Sequence, residues 1–245
     1  MGSSDSLCAG YGLTKIYEGL SERRKVGIVR SVLPDNRVHC CRSASCCVLW
    51  VARTMRIILA SGSPRRRELL SSLGLSFEVY RPDVDEAHGE HEEPAELCAR
   101  LSRLKAGAGA ERFPDAVVIA ADTIVVIDGQ VLGKPRDRDD AVRMLGILQG
   151  REHEVLTGLS VCMKGRVMTH VERTLVKFRA LSQEEIAAYV LTGECDDKAG
   201  AYAVQGKGSL LVEGIAGDYF NVVGLPVCRL GLMLHEFGVN ILCDE

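Results

Sequence analysis

Residues 116–121 read AVVIAA, an unbroken apolar run. A strand with one solvated face alternates apolar and polar side chains; a strand without alternation is covered on both faces. The run therefore predicts a central strand with helices packed on either side, which is the α/β arrangement. The neighbouring segments agree. RIILA (56–60) reads as a short buried strand. Ser63 suits a helix N-cap and Pro64 the first helical position; Leu69, Leu70 and Leu73 give that helix an apolar face, and Gly74 ends it. FEVYRP reads as a second strand, and Pro94 opens a helix to about Ala110 with Leu97, Leu101 and Leu104 on one side.

The rest of the chain turns antiparallel. TIVVIDGQVLG reads as a hairpin turning at Asp128-Gly129, and residues 153–180 as two long strands turning at Lys164-Gly165. Asp137 caps a helix bearing Val142, Leu145 and Leu148. Ser182 and Glu185 have the spacing of a capping box. The last helix follows Pro226, with Val227, Leu230, Met233, Leu234 and Phe237 at helical spacing. The expectation is a mixed sheet flanked by helices over residues 55–245.

With 245 residues, 47% of them hydrophobic, the chain has enough apolar material for one sizeable core. Its net charge of -3 gives no global basic field, so nucleic acid is not an expected partner. No run reaches the roughly 18–20 apolar residues of a membrane helix. Five of the ten cysteines lie in the first 50 residues, and the other five are scattered singly, which reads as reduced, buried thiols.

Residues 1–54 differ in kind: they hold eight Lys/Arg against four Asp/Glu, the only tryptophan (Trp50), and no hydrophobic period. They read as a poorly ordered extension, or as a leader upstream of a true start at Met55. HCCRSASCC offers Cys41, Cys46 and neighbours to zinc, yet no second ligand pair follows. MGSSDS fits the N-myristoylation pattern at Gly2 and Ser6, a short pattern that chance often matches.

Four stretches carry chemistry. SGSPRRR places Arg65, Arg66 and Arg67 at a strand-to-helix turn. A helix N-terminus there offers N–H groups and a positive dipole end, and guanidinium groups grip phosphate in pairs of hydrogen bonds. Cations at that end oppose the dipole unless an anion offsets them, which disfavours the plain alternative of a solvated first turn. In AADT, Asp122 follows the central strand and has the chemistry to bind a divalent cation or activate water; a capping aspartate is the alternative. Lys134 in GKP is either a phosphate contact or a surface lysine. DDKAGAYAVQGKG lets backbone approach a ligand closely and carries Lys198, Tyr202 and Gln205. The Gln205 amide has both a donor and an acceptor for a base edge; its alternative is to brace its own loop. The dinucleotide fingerprint G-x-G-x-x-G and the Walker pattern are absent.

Together, LASGSPRRRELL, VDE, AADTIV, LGKP, DKAGAYAVQGKG and GDYFNVVGLP resemble, in order and separation, the Maf family of nucleoside triphosphate pyrophosphatases. The similarity runs over 55–245. It implies a Maf/inosine-triphosphatase-like fold, with an elongated mixed sheet and a cleft between two lobes. It implies cytoplasmic hydrolysis of a nucleoside triphosphate to monophosphate and pyrophosphate with Mg²⁺ or Mn²⁺, and it admits a homodimer. Carried over by position, the catalytic aspartate is Asp122, with Glu86 of VDE beside it as a metal-side acid. Ser63, Lys105, Lys134 and Lys198 fall on the phosphate side. The specificity positions of the dTTP/UTP branch match Arg65, Thr123 and Gln205. AYAVQGKG has alanine and valine before the glutamine where glycine and isoleucine are common, and Gln205 itself is in place. The rival readings are an inosine/xanthosine-type or 7-methyl-GTP pyrophosphatase and a non-catalytic binding protein linked to septum formation.

Overall fold

The computed structural model describes residues 55–87, 89 and 92–242. The cysteine cluster, Gly2 and Trp50 of the extension, and Cys243 near the other end, lie outside the described residues.

Strand β1 (Ile57–Ala60) leads into helix α1 (Pro64–Ser72), strand β2 (Glu78–Tyr80) and helix α2 (Pro94–Arg112). Next come β3 (Val117–Ile127), β4 (Gln130–Leu132), α3 (Arg138–Leu148), β5 (Glu152–Met163) and β6 (Arg166–Phe178). The chain ends with α4 (Gln183–Leu191), β7 (Val212–Ala216), the short α5 (Tyr219–Val223) and α6 (Val227–Glu236). The strands form one seven-stranded sheet in the order β2-β1-β3-β5-β6-β7, with β4 also paired to β3. β1 runs parallel to β2 and β3, and every other pairing is antiparallel.

The expected punctuation is where the residues placed it. Ser182 accepts from the Glu185 amide while the Glu185 carboxylate accepts from the Ser182 amide, completing the capping box. The Asp137 carboxylate accepts from the Asp140 amide. Lys164 and Gly165, at φ 50° and 80°, make the left-handed two-residue turn of a tight hairpin. Ser63 holds the N-cap position of α1 in extended conformation, but its side chain makes no capping bond.

β3 departs from the expectation. It does not stop after AVVIAA but continues through Asp122 and Thr123 to Ile127, and the expected hairpin is its second half together with β4. Along one edge, β3 pairs with β5 from Val118 to Val126. Along the other, β1 pairs at Val117–Ile119 and β4 at Val125–Ile127. Between these two short partners, residues 120–124 have no strand neighbour on that edge among the described residues.

The side chains of β3 alternate between two surroundings. Val118, Ala120, Ile124 and Val126 face α2, with Ala106, Leu97 and Leu101. On the opposite face, Val117, Ile119 and Ala121 pack with Leu70 of α1 and Leu230, Met233 and Leu234 of α6. Val125 and Ile127 on that face belong to a different cluster, with Leu145 and Leu148 of α3 and Ile186 and Val190 of α4. That face of the sheet thus carries two helical covers, with Thr123 between them. Leu104 is an exception to its expected stripe, being 42% exposed. The buried stripe of α2 is centred on Cys98, Ser102 and Gly109, so Leu104 falls past its edge. Cys98, Cys162 and Cys195 are buried free thiols as expected, whereas Cys228 is exposed.

One buried group titrates in an accessible range. His153 on β5 is 2% exposed, its Nε2 lies 2.8 Å from the Tyr202 hydroxyl, and its ring meets Phe178 edge-on. Burial pushes its imidazole down to about 4. Below about pH 6.5 the unfolded chain takes up a proton that the folded protein refuses until about pH 4. Stability is therefore complete above that window, should fall across it by roughly 3 kcal/mol for this group, and should level off below it. Urea unfolding between pH 7.5 and 4 measures this. His153→Gln, which keeps a polar atom for Tyr202 but does not titrate, should flatten that part of the slope; an unchanged slope would assign the acid sensitivity to other groups.

Candidate active site

The interrupted edge of β3 opens into a cleft of about 530 Å³. Its floor carries Asp122 and Thr123, and its walls come from the β1–α1 turn, the segment after β2, the loop after β4 and the glycine-rich stretch 197–205.

Asp122 points to the α2 side, as the alternation of β3 requires. Lys105 of α2 meets it there, with Nζ 2.5 Å from Asp122 Oδ1, and the same ammonium lies 2.7 Å from Glu86 Oε1. Lys105 and Asp122 are largely buried, while the Glu86 side chain is 57% exposed. Burial pushes the Glu86 carboxyl up, but Lys105, Lys134 and Arg66 outweigh it and leave the group below its ordinary value. Lys105 thus joins two carboxylates from separate segments at the cleft floor.

Thr123 points to the opposite side and meets Arg66. Arg66 donates from Nη2 to Thr123 Oγ1 (2.9 Å), from Nη1 to Ser61 Oγ (3.1 Å) and from Nε to the Gly224 carbonyl (2.7 Å). The Thr123 hydroxyl also lies 2.9 Å from that of Thr157 on β5. Burial lowers the Arg66 pKa, with Asp122 acting against that shift. Its hydrogen bonds go to neutral oxygens, so this guanidinium brings net positive charge to the cleft. Helical phase decides between the three arginines. Arg66 turns inward, Arg65 reaches across the mouth to Asp197 at 3.9 Å, and Arg67 is exposed away from the cleft.

The glycine-rich stretch is held by groups other than Gln205. The Gly200 amide donates to the Gly133 carbonyl (3.0 Å), tying the stretch to the loop that bears Lys134. The Ala203 amide donates to the Tyr189 hydroxyl (3.0 Å). The Glu194 carboxylate accepts from the amides of Lys207 and Gly208, both at 3.2 Å. Gly200 sits at φ 68°, and a Cβ there would lie 2.9 Å from Val125 Cγ2, so glycine serves both turn and close approach. Gln205 is exposed to the cleft, and its side chain makes no hydrogen bond to the described residues.

Every site residue expected from the sequence lines this one cleft. The β1–α1 turn brings Ser63 and the first turn of α1 Arg65; the floor brings Lys105, Asp122 and Thr123; the loops bring Glu86, Lys134, Lys198 and Gln205. The sequence did not single out Arg66 from its neighbours, nor did it mark Asp197. The lining holds six cationic side chains (Arg65, Arg66, Arg81, Lys105, Lys134, Lys198) against three carboxylates (Glu86, Asp122, Asp197). A cation-rich recess in a chain whose net charge is -3 suits a polyanionic ligand.

A mixed α/β sheet opened at its centre, with lysines and arginines converging on an aspartate, defines the class: an α/β protein built around a cation-rich cleft. The chain belongs to the Maf family, whose description, Maf-like protein, matches residues 56–237. It is 52% identical over 186 residues to a dTTP/UTP pyrophosphatase of Symbiobacterium thermophilum, covering 76% of this chain and 96% of that one. It is 54% identical over 191 residues to a dTTP/UTP pyrophosphatase of Caldanaerobacter subterraneus subsp. tengcongensis, covering 76% and 91%. A solved structure, the Staphylococcus aureus Ham1 protein, overlays 50% of this chain and 71% of its own at a TM-score of 0.38, with 14% identity. Among the described residues no helix is long and apolar enough to cross a membrane.

Proposed function

We propose that the protein hydrolyses dTTP and UTP to the nucleoside monophosphate and pyrophosphate, as a cytoplasmic enzyme whose catalytic unit is residues 55–245. The observation that carries this reading is the convergence of nine sequence-selected residues on one cleft. The chain's relatives of that printed name match over nearly their whole length.

In this reading the triphosphate enters the cation-rich cleft. Arg65, Lys134 and Lys198 take its phosphate oxygens, and the β1–α1 turn with Ser63 closes around them. Asp122, oriented by Lys105, directs a water at the α-phosphorus and takes its proton. The bond from the α-phosphorus to the α,β-bridging oxygen breaks, and pyrophosphate leaves with that oxygen. Glu86 and Asp122 supply two carboxylates at one point, the donor set of a magnesium-type ion that takes the rest of its ligands from water and substrate phosphates. No cluster of three or more Asp, Glu, His or Cys stands ready as a protein-only cage among the described residues. When bound, such an ion would neutralise charge on the phosphates.

Gln205 then reads the base. Uracil and thymine share a ring edge with two carbonyls flanking an N–H, and one amide pairs with a carbonyl and that N–H together. Adenine presents a different order and leaves polar atoms unpaired, at about 1–3 kcal/mol per group. The loop has its braces in Glu194 and Tyr189, so the Gln205 amide is free for this task. The test is pyrophosphate release from a nucleotide panel, including inosine and 7-methylguanosine triphosphates, with Mg²⁺ or Mn²⁺. Wild type should prefer dTTP and UTP. Gln205→Ala should lower those two rates by about ten- to a hundredfold while leaving poor substrates such as ATP nearly unchanged. An equal drop across the panel would make Gln205 a loop brace, and a purine preference in wild type would replace the proposed substrate.

A further inference from the structure

Arginines at the start of α1 oppose its dipole, and among the carboxylates lining the cleft Asp197 is the one at ion-pair distance from Arg65. Asp197 Oδ1 lies 3.9 Å from Arg65 Nη1, and the same oxygen accepts from Lys198 Nζ. Arg65 and Lys198 come from separate segments of the lining, the first from the first turn of α1 and the second from the glycine-rich stretch. Both are placed to take phosphate oxygens. We propose that Asp197 is the resident counter-anion of these two cations, a specificity-determining carboxylate that the polyphosphate of a substrate must displace. The proposal rests on the reading of the cleft as a triphosphate site.

The exposures say which partner gives way. The side chains of Arg65 and Lys198 are 25% and 14% exposed, whereas that of Asp197 is 58% exposed. The cations are held in the cleft wall and stay when the pair breaks. The carboxylate swings into water, where it is fully solvated, so releasing it costs little. Burial raises the Asp197 carboxyl, but Lys198 and Arg65 outweigh it, so the group carries its charge at neutral pH. The remaining carboxylates of the cleft, Glu86 and Asp122, sit on Lys105 at the floor and do not serve the mouth.

The consequence is a filter on anions. A ligand with a single phosphate group gains one contact and must still displace Asp197. A triphosphate spans both cations and the floor, and it recovers more than it displaces. Pyrophosphate, the leaving product, is opposed by the returning carboxylate, which favours its release. Asp197 is thus a negative element, selecting by repulsion as well as by contact.

Asp197→Asn keeps the shape and removes the charge. Calorimetric titration of the full-length protein with inorganic pyrophosphate and inorganic tripolyphosphate reads the effect without any catalysis. Both anions should bind about two- to fivefold more tightly to the variant, the range expected on relieving a partly exposed ion pair of this kind. In the nucleotide assay, KM should fall and inhibition by pyrophosphate should deepen by a similar factor, without a rise in kcat. Asp197→Glu, which restores the charge, should return anion binding toward the wild-type value. Unchanged or weaker anion binding by Asp197→Asn would overturn the proposal and make Asp197 a residue that positions Arg65 and Lys198. Tighter anion binding by a protein that hydrolyses no nucleoside triphosphate would leave this role standing and remove the proposed function instead.

Discussion

Asp122→Asn should lower turnover by about a hundredfold or more while leaving the protein folded with a melting temperature within a few degrees of wild type. The size of the loss is that of removing a positioned general base from the transition state. The tolerance of the fold follows from the neighbours. Asp122 is set in β3 by its backbone pairing with Gly158 and by the apolar residues on either side, not by its charge. Its ionic partner is not orphaned by the change, because Lys105 also lies 2.7 Å from Glu86 Oε1. The asparagine carbonyl can still accept from Lys105, so the side chain keeps its place and loses only its charge. Pyrophosphate release and a thermal melt on the same preparation check both halves. Activity within a few-fold of wild type would remove Asp122 from the chemistry; loss of folding would show that its charge is structural.

Much of this site can be read from local sequence, because the features that place it are local. AVVIAA specifies a covered strand by composition alone, Pro64 marks a helix start by its fixed φ, and Asp137 and the Ser182–Glu185 box mark theirs through bonds between residues three apart. The chemically distinctive residues lie close to these markers, so their elements carry them to a common edge of the sheet. The gap on the edge of β3 is a different kind of feature. It depends on where β1 stops and where β4 begins, about 70 residues apart in the chain, and no local pattern states that register. For that reason Asp122 looked like a strand-end residue and is a mid-strand one. The same limit applies to the arginines. Three identical side chains in a row differ only in helical phase, and that phase is meaningful once Gly224 and Thr123 have come together from distant segments. The stripe of α2 illustrates it again: Leu97 and Leu101 pack on the sheet as their spacing implies, but the stripe continues through the small residues Cys98, Ser102 and Gly109 and not through Leu104, because the helix lies unusually close to the sheet.

That closeness makes Gly158 a sensitive position near the site. It pairs across the ladder with Asp122, on the face of the sheet that α2 covers. A Cβ built there would lie 2.1 Å from the Cys98 carbonyl oxygen, 2.4 Å from its carbon and 2.9 Å from the Ala99 amide nitrogen. These are backbone atoms inside a helix, so no side-chain rotation relieves the overlap. Ordinary contact begins near 3.4 Å, and α2 must therefore retreat by about an ångström or β5 must buckle. Gly158→Ala should cost about 3 kcal/mol, the upper part of the usual range for overpacking a well-filled interface. For a domain of this size that is a fall of roughly 6–12 °C in melting temperature. Function should fall as well, because α2 is the element that carries Lys105 to Asp122, and a displacement of this order at a catalytic group costs up to about a hundredfold. Gly107→Ala, in the same helix, is the matching control. No atom lies within 4 Å of its added Cβ, so it should be neutral or stabilise by up to about 1 kcal/mol through helix propensity. Thermal melts and turnover of the two variants separate the causes. Two variants with equal, wild-type behaviour would mean that α2 yields without cost, and the short Lys105–Asp122 contact would then not depend on how closely the helix is seated.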